Sequence, residues 1–177
     1  MRELLGLARP AQPRVFERLQ ARPIAPGDDA FLRTLFADTR SAQMGATGWA
    51  ASRCRAFLDQ QFDFQQRQYR QRHADALFLL LLLDDAPVGR LAWCSGPARA
   101  TLIDLSLAAG WRGRGLGSSV LRCLTESADQ HGQTIGLQVE PGNPAYQLFR
   151  RFGFEQEPDH AVHLRMERRP AAVSTPA

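Results

Sequence analysis

Trp111-Arg112-Gly113-Arg114-Gly115-Leu116-Gly117-Ser118-Ser119 lies between an apolar stretch ending at Leu107 and an amphipathic stretch beginning at about Ser118. Four glycines fall between Gly110 and Gly117, both included. Glycine lets a chain turn tightly and expose consecutive backbone N–H groups. The helix expected next aims its unpaired N–H groups and the positive end of its dipole at the same spot. A loop and a helix start combined in this way form an anion site, best suited to a phosphate or pyrophosphate. Arg112 and Arg114 add guanidinium forks that match phosphate oxygens. Two familiar phosphate motifs are excluded. The dinucleotide fingerprint G-x-G-x-x-G fails because Ser118 and Val120 hold the sixth positions counted from Gly113 and Gly115. The P-loop fails because it requires a lysine and all 22 basic residues of the chain are arginine.

Working upstream, Arg99–Leu107 reads as a strand, reached through turns at Ser95-Gly96-Pro97 and Asp84–Pro87 from strands at Val88–Cys94 and Leu77–Leu83. This is a three-stranded antiparallel meander. Leu77–Leu83 is uninterrupted apolar sequence, as expected of a strand buried on both faces. Before it, Trp49–Gln71 predicts a long helix with Trp49, Cys54, Phe57, Leu58, Phe62 and Tyr69 near a 3.6-residue period. Its Gln60, Gln61, Gln65, Gln66 and Gln68 make either a solvated face or a neutral polar wall beside a ligand. Phe31, Leu32, Leu35 and Phe36 predict an earlier amphipathic helix after the turn Pro26–Asp29, and an extended stretch covers Val15–Pro23.

Downstream, a helix is expected over about Ser118–His131, then a strand at Thr134–Val139 and a helix from Pro141–Pro144 to Phe152–Gly153. Strands at Phe154–Glu155 and His160–Met166 follow. The order is α+β, with a mixed central sheet of six to seven strands and flanking helices. One domain over residues 15–168 follows, with an N-terminal arm over 1–14 and a disordered tail over 169–177.

The composition is that of a globular chain. It has 177 residues, of which 44% are hydrophobic and 23% charged, close to the average for folded domains. The formal charge of +4 is scattered. It favours a small anionic ligand over a nucleic-acid stripe. No apolar run approaches the ~20 residues of a membrane span and no secretory signal is visible, so a cytoplasmic protein is expected. With no lysine, lysine nucleophiles and Schiff bases are excluded. Cys54, Cys94 and Cys123 match no metal or redox spacing and read as small buried hydrophobes in a reducing compartment. His73, His131, His160 and His163 also lack metal-ligand spacing, so no metal site is expected.

Arg112-x-x-Gly115-x-Gly117 resembles the R/Q-x-x-G-x-G/A acyl-CoA pyrophosphate motif of the GNAT superfamily of N-acetyltransferases. Asn143-Pro144-Ala145-Tyr146-Gln147-Leu148-Phe149-Arg150-Arg151-Phe152-Gly153-Phe154 resembles a second segment of that superfamily, N-P-A-x-x-L-Y-x-x-x-G-F. The two blocks stand in the superfamily's order and on the matching elements, and the resemblance covers about Val15 to Met166.

The resemblance implies a V-shaped splay between the fourth and fifth strands, holding acetyl-CoA as co-substrate. Backbone of Leu105 and Leu107 would pair with the pantetheine arm. The loop Gly113, Arg114, Gly115, Leu116, Gly117 and Ser118, with Arg112, would hold the pyrophosphate. Asn143 and the helix carrying Phe149 would line the far side. Asn143, the only asparagine of the chain, is equally suited to capping that helix.

The implied reaction is attack of a neutral primary amine, on a small molecule or a protein, at the thioester. It requires a base for the ammonium proton, N–H groups near Leu107 for the oxyanion, and an acid for the leaving thiolate. Many members supply the acid from the tyrosine of L-Y, but that position here is Phe149. Tyr146 lies one turn earlier on the same face and is the substitute candidate. Asp104 and Glu140 are the candidates for the base or amine-binding acid, with His163 behind them. Asp104 breaks an apolar strand, so it is either functional or paired with an arginine such as Arg90. Phe149 leaves open a catalytically impaired acyl-CoA-binding or regulatory module. Another acyl group or an oxygen acceptor is a third reading. Monomer and homodimer are both compatible with the sequence.

Overall fold

A computed structural model of the chain describes residues 18–158 and 163–171. The expected arm over 1–14, His160, and the tail beyond residue 171 lie outside the described residues. Seven strands form one sheet in the order β1-β2-β3-β4-β5-β7-β6. They are β1 (Leu19–Pro23), β2 (Leu77–Leu83), β3 (Ala86–Ser95), β4 (Arg99–Leu107), β5 (Thr134–Val139), β6 (Glu155–Gln156) and β7 (Leu164–Arg168). The helices are α1 (Asp29–Gly45), α2 (Ala51–Arg72), α3 (Leu116–Gln130) and α4 (Ala145–Arg151). Every neighbouring pair of strands is antiparallel except β4 and β5, which are parallel. A parallel pair requires a crossover, and α3 lies between them in the chain.

β2 shows how the sequence divides the molecule into layers. Its side chains alternate between two separate cores. Leu79 and Leu81 join the larger one, with Leu116, Val120, Leu121, Leu124 and Ala128 of α3 and Phe149 of α4. Leu80 and Leu82 join the smaller one, with Leu32 and Phe36 of α1 and Phe62 of α2. A strand packed by helices on both faces has no polar side, which is why this run has no alternation. Arg33 ties α1 to α2, bonding Asp29 and Asp63 at 2.6 Å each.

Several boundaries differ from the expected ones for local reasons. β3 begins at Ala86 because Asp84 and Asp85 both take left-handed conformations, φ 50° and 64°, and close a two-residue hairpin. Aspartate tolerates that region better than most side chains. β7 runs on to Arg168, whose guanidinium forks onto Asp129 of α3 at 2.7 and 2.8 Å and donates from Nε to the Phe152 carbonyl at 3.0 Å. Cys123 is buried as expected, whereas Cys54 and Cys94 are only half-buried.

Candidate active site

The site begins where two strands part. β4 and β5 pair from Arg99–Thr134 to Leu102–Leu137 and no further. The next residue of β4, Ile103, is an extra one, since Trp93 faces Leu102 while Ala92 faces Asp104. A bulge of this kind bends its strand. β4 stays paired to β3 as far as Gly89–Leu107, so it turns away from β5 and leaves its β5-facing edge unpaired. The wedge therefore has a cause in one residue. Past the bulge, Leu105 and Leu107 pack on the α3–α4 core. Asp104 turns to the opposite face, toward α2.

The glycine-rich loop closes one end of the wedge. A short 3₁₀ turn, Ala109–Trp111, follows β4, and Arg112 Nε donates to the Leu107 carbonyl at 2.8 Å. Gly113 and Gly115 have φ 71° and 85°, conformations that disfavour a side chain. Gly115 is the N-cap of α3 and supplies no side-chain acceptor, so the first N–H groups of the helix have no partner within it. α3 starts two residues before Ser118 because this left-handed glycine sets its N-terminus. Around Gly113 and Gly115 a Cβ would meet nothing within 4 Å, whereas at Gly117 it would lie 3.4 Å from Leu148 Cδ2 and 3.8 Å from Leu107 Cδ1. The first turn of α3 is thus held between β4 and α4 while its N-terminal approach is open. Beside it a cleft of about 680 Å³ is lined by Ser118, Arg122, Glu126, Arg151 and Arg168, among others.

On the other face, Asp104 is not a lone acid. It forms an ion pair with Arg90 Nε and accepts from Ser106 Oγ at 2.7 Å. Arg90 Nη2 donates to Gln65 Oε1 at 2.6 Å. Both members of the pair are largely buried, with side chains 8% and 13% exposed. Tyr69 of α2 lies below Arg90, its ring centre 5.9 Å from the guanidinium carbon. Burial, reinforced by the negative charge of Asp104, pushes its phenol up to about 12, so it stays protonated at neutral pH.

Arg40 of α1 completes this face, and the sequence reading missed it. Its guanidinium stacks on Phe36 at 3.7 Å and donates to Thr39 Oγ1 at 3.0 Å. Burial lowers its pKa from the usual arginine value, against the attraction of Glu140 and Asp104. The only available signal was the i, i+4 spacing of Phe36 and Arg40, which places them on one helix face. Glu140 is exposed just beyond the end of β5. The register that pairs Val139 with Leu164 brings Glu140 and His163 to the same end of β5 and β7.

The α4 candidates turn elsewhere. Asn143 Oδ1 accepts the Ala145 N–H at 2.9 Å and so caps α4. Tyr146 Oη donates to Gln156 Oε1 at 3.2 Å. Gln156 is on β6, and β7 and β5 separate that strand from the wedge. Phe149 is 8% exposed, stacks edge-on against Phe154 at 5.8 Å, and belongs to the core on which Leu105 and Leu107 pack. Asp104 and Glu140 thus both act on Arg40, whereas the Tyr146 hydroxyl is engaged at β6.

Residues 33–154, well over half of the chain, match the model of the acetyltransferase (GNAT) family. The chain belongs to the GNAT family of acetyltransferases. Its fold is that of the solved GNAT structures it resembles. PaiA N-acetyltransferase from Thermoplasma acidophilum, in complex with coenzyme A, is 16% identical, with a TM-score of 0.63 over 85% of this chain and 98% of that one. An acetyltransferase from Thermus thermophilus is 24% identical, with a TM-score of 0.61 over 85% and 96%. Ard1 from Thermoplasma volcanium is 14% identical, with a TM-score of 0.55 over 87% and 99%. No curated protein matches the sequence significantly. Among the described residues no helix is long and apolar enough to cross a membrane, and no cluster of three or more His, Cys, Asp or Glu side chains is arranged to hold a metal ion.

Proposed function

We propose that this GNAT acetyltransferase moves an acetyl group from acetyl-CoA to a primary amine by direct attack. The observation that carries the reading is the junction of two features: the bulge at Ile103, which opens the β4–β5 wedge, and the uncapped, glycine-led start of α3 at its end. A thioester arm suits an unpaired strand edge, whose N–H and C=O groups require partners. A pyrophosphate suits the N-terminus of α3. The residues Gly113–Ser118 would hold the pyrophosphate, Leu105 and Leu107 the pantetheine, and the arginine-lined cleft beside Ser118 leaves room for the nucleotide end.

The amine then enters from the face of α1 and α2. Glu140 is the base in this proposal, taking the ammonium proton directly or through a water. The amine nitrogen bonds to the acetyl carbon, the carbon–sulfur bond breaks, and the thiolate takes up, through water, the proton that the new amide nitrogen sheds, because Phe149 has none to give. Asp104 acts through Arg90: the pair holds Gln65 and the guanidinium that lies over the Tyr69 ring. Supporting this division, Asp104 has its oxygens engaged while Glu140 is exposed.

The engaged Tyr146 and core-bound Phe149 favour one competing reading, an acyl-CoA-binding module without turnover. Isotope-labelled acetyl-CoA, mixed with the protein and a panel of primary amines, separates the two. Acetyl transfer requires label on an amine nitrogen with one thiol released per label. Tight binding of acetyl-CoA with no label on any amine supports the module.

A further inference from the structure

The charges on the acceptor face do not cancel evenly. Arg90, Asp104, Glu140 and Tyr69 all act on the charge of Arg40 there. Arg90 and Asp104 neutralise each other in their ion pair. One cation and one anion remain, Arg40 and Glu140. They attract each other, yet Arg40 makes no salt bridge with any carboxylate among the described residues; its contacts are the Phe36 ring and Thr39 Oγ1. A guanidinium flattened on an aromatic ring keeps an edge of N–H donors free for a planar anion.

The neighbouring hydrogen-bond inventory leans the same way. Gln66 shares the inward face of α2 with Phe62 and Tyr69, and its Nε2 is a buried donor with no acceptor. The protonated Tyr69 hydroxyl is a second donor, and no described group accepts from it. Phe36 and Phe62 meet edge-on at 5.6 Å, so Arg40, stacked on Phe36, and Gln66, one turn beyond Phe62, extend from one contact between α1 and α2. Donors without acceptors gather there, as in an anion receptor, and Glu140 is the carboxylate left for an amine.

A separated cation and anion, with surplus donors beside the cation, complement a zwitterion. We propose that the acceptor is a free amino acid, its carboxylate held by Arg40 and its amine directed to Glu140. The inference rests on the acetyl-transfer reading above and narrows it. A lysine side chain or the N-terminus of a folded protein brings no carboxylate near its amine and leaves Arg40 unmatched.

The test is steady-state thiol release from acetyl-CoA with matched acceptors: phenylalanine and phenethylamine, leucine and isoamylamine, histidine and histamine. At least one amino acid should exceed its decarboxylated partner about tenfold or more in kcat/KM, the scale expected of a charge-assisted fork. Arg40→Gln should collapse that ratio toward one, and Arg40→Lys, which keeps the charge but not the fork, should retain part of it. Calorimetry with coenzyme A and a melting curve establish that each variant is folded. Equal or better use of the decarboxylated amines, or a ratio that Arg40→Gln leaves intact in folded protein, overturns the amino-acid assignment while leaving acetyl transfer standing. Coenzyme A binding with no thiol release from any amine removes the transfer reading, and this inference with it.

Discussion

Gly115 is a position at which charge at the donor site can be changed with little effect on the fold. It is the N-cap of α3, with φ 85° and ψ −8°, and a Cβ there meets nothing within 4 Å. A left-handed side chain destabilises by ~1–2 kcal/mol, less for Asp and Asn, and both are good N-caps that recover a few tenths relative to glycine. Gly115→Asp and Gly115→Asn should therefore melt within a few degrees of each other and of the parent, since ~1 kcal/mol moves a domain of this size by about 2–4 °C. They differ in charge alone. A carboxylate about 4 Å from one phosphate charge raises the energy by ~1 kcal/mol at a water-like dielectric and ~4 kcal/mol at an effective dielectric of 20. With 1.36 kcal/mol to the decade, Gly115→Asp should bind coenzyme A between about fivefold and about a thousandfold more weakly than Gly115→Asn. Added salt should narrow the gap, because the loop is exposed. Calorimetric titration with coenzyme A is the assay. Equal affinities for the two folded variants would show that no anion binds at the start of α3.

Further expectations concern the supports of the site. Asp129 is held below its ordinary pKa: burial works against its ionisation, but the Arg168 fork and the Ala171 N–H outweigh it. A lowered folded-state pKa gives stability that is present above the unfolded value of about 3.9 and is lost as pH falls through the folded one. Asp129→Asn should thus destabilise by ~1.5–3 kcal/mol at neutral pH, with the difference from the parent shrinking in acid; equal denaturation midpoints at pH 7 contradict the latch. Asp104→Asn leaves Arg90 buried with its charge unmatched and should reduce stability by ~3–5 kcal/mol. Replacing both members by apolar residues should restore much of that loss in denaturant titrations. Unchanged stability with a raised KM for the amine would instead make Asp104 an acceptor-facing acid. Phe149→Tyr puts a hydroxyl among apolar side chains and should destabilise by ~1–3 kcal/mol without raising kcat; a faster enzyme would show that the hydroxyl reaches the leaving thiolate.

What the sequence disclosed and what it hid have physical reasons. β2, β4 and β5 were legible to the residue, because runs such as Leu77–Leu83 and Arg99–Leu107 are bounded by glycine, proline or paired aspartates. The loop from Gly113 to Gly117 was legible because positive φ and close approach restrict the residue types allowed there. The direction of a side chain within an element was less so. Phe149 and Tyr146 sit on one short helix, yet what each side chain meets depends on how α4 packs on the start of α3, on Phe154 and on β6. The choice for Asp104, functional acid or partner of Arg90, depended on a one-residue bulge at Ile103 that no pattern of hydropathy marks. Arg40 was invisible for a similar reason. Nothing adjacent in sequence singles it out, and its importance arises only when α1 packs over β3 and β4 and Arg40 comes under the attraction of Glu140, a hundred residues later in the chain.

The central claim is that the bulge-opened wedge and the start of α3 are one site for acetyl-CoA. A crystal structure of the protein with coenzyme A tests it most directly. The account predicts pyrophosphate oxygens on the backbone N–H groups between Gly113 and Ser118, and the pantetheine arm along the β4 edge beyond Ile103, its thiol end toward Glu140. Coenzyme A bound outside the β4–β5 wedge, or a wedge closed by continued strand pairing beyond Leu102, would contradict it.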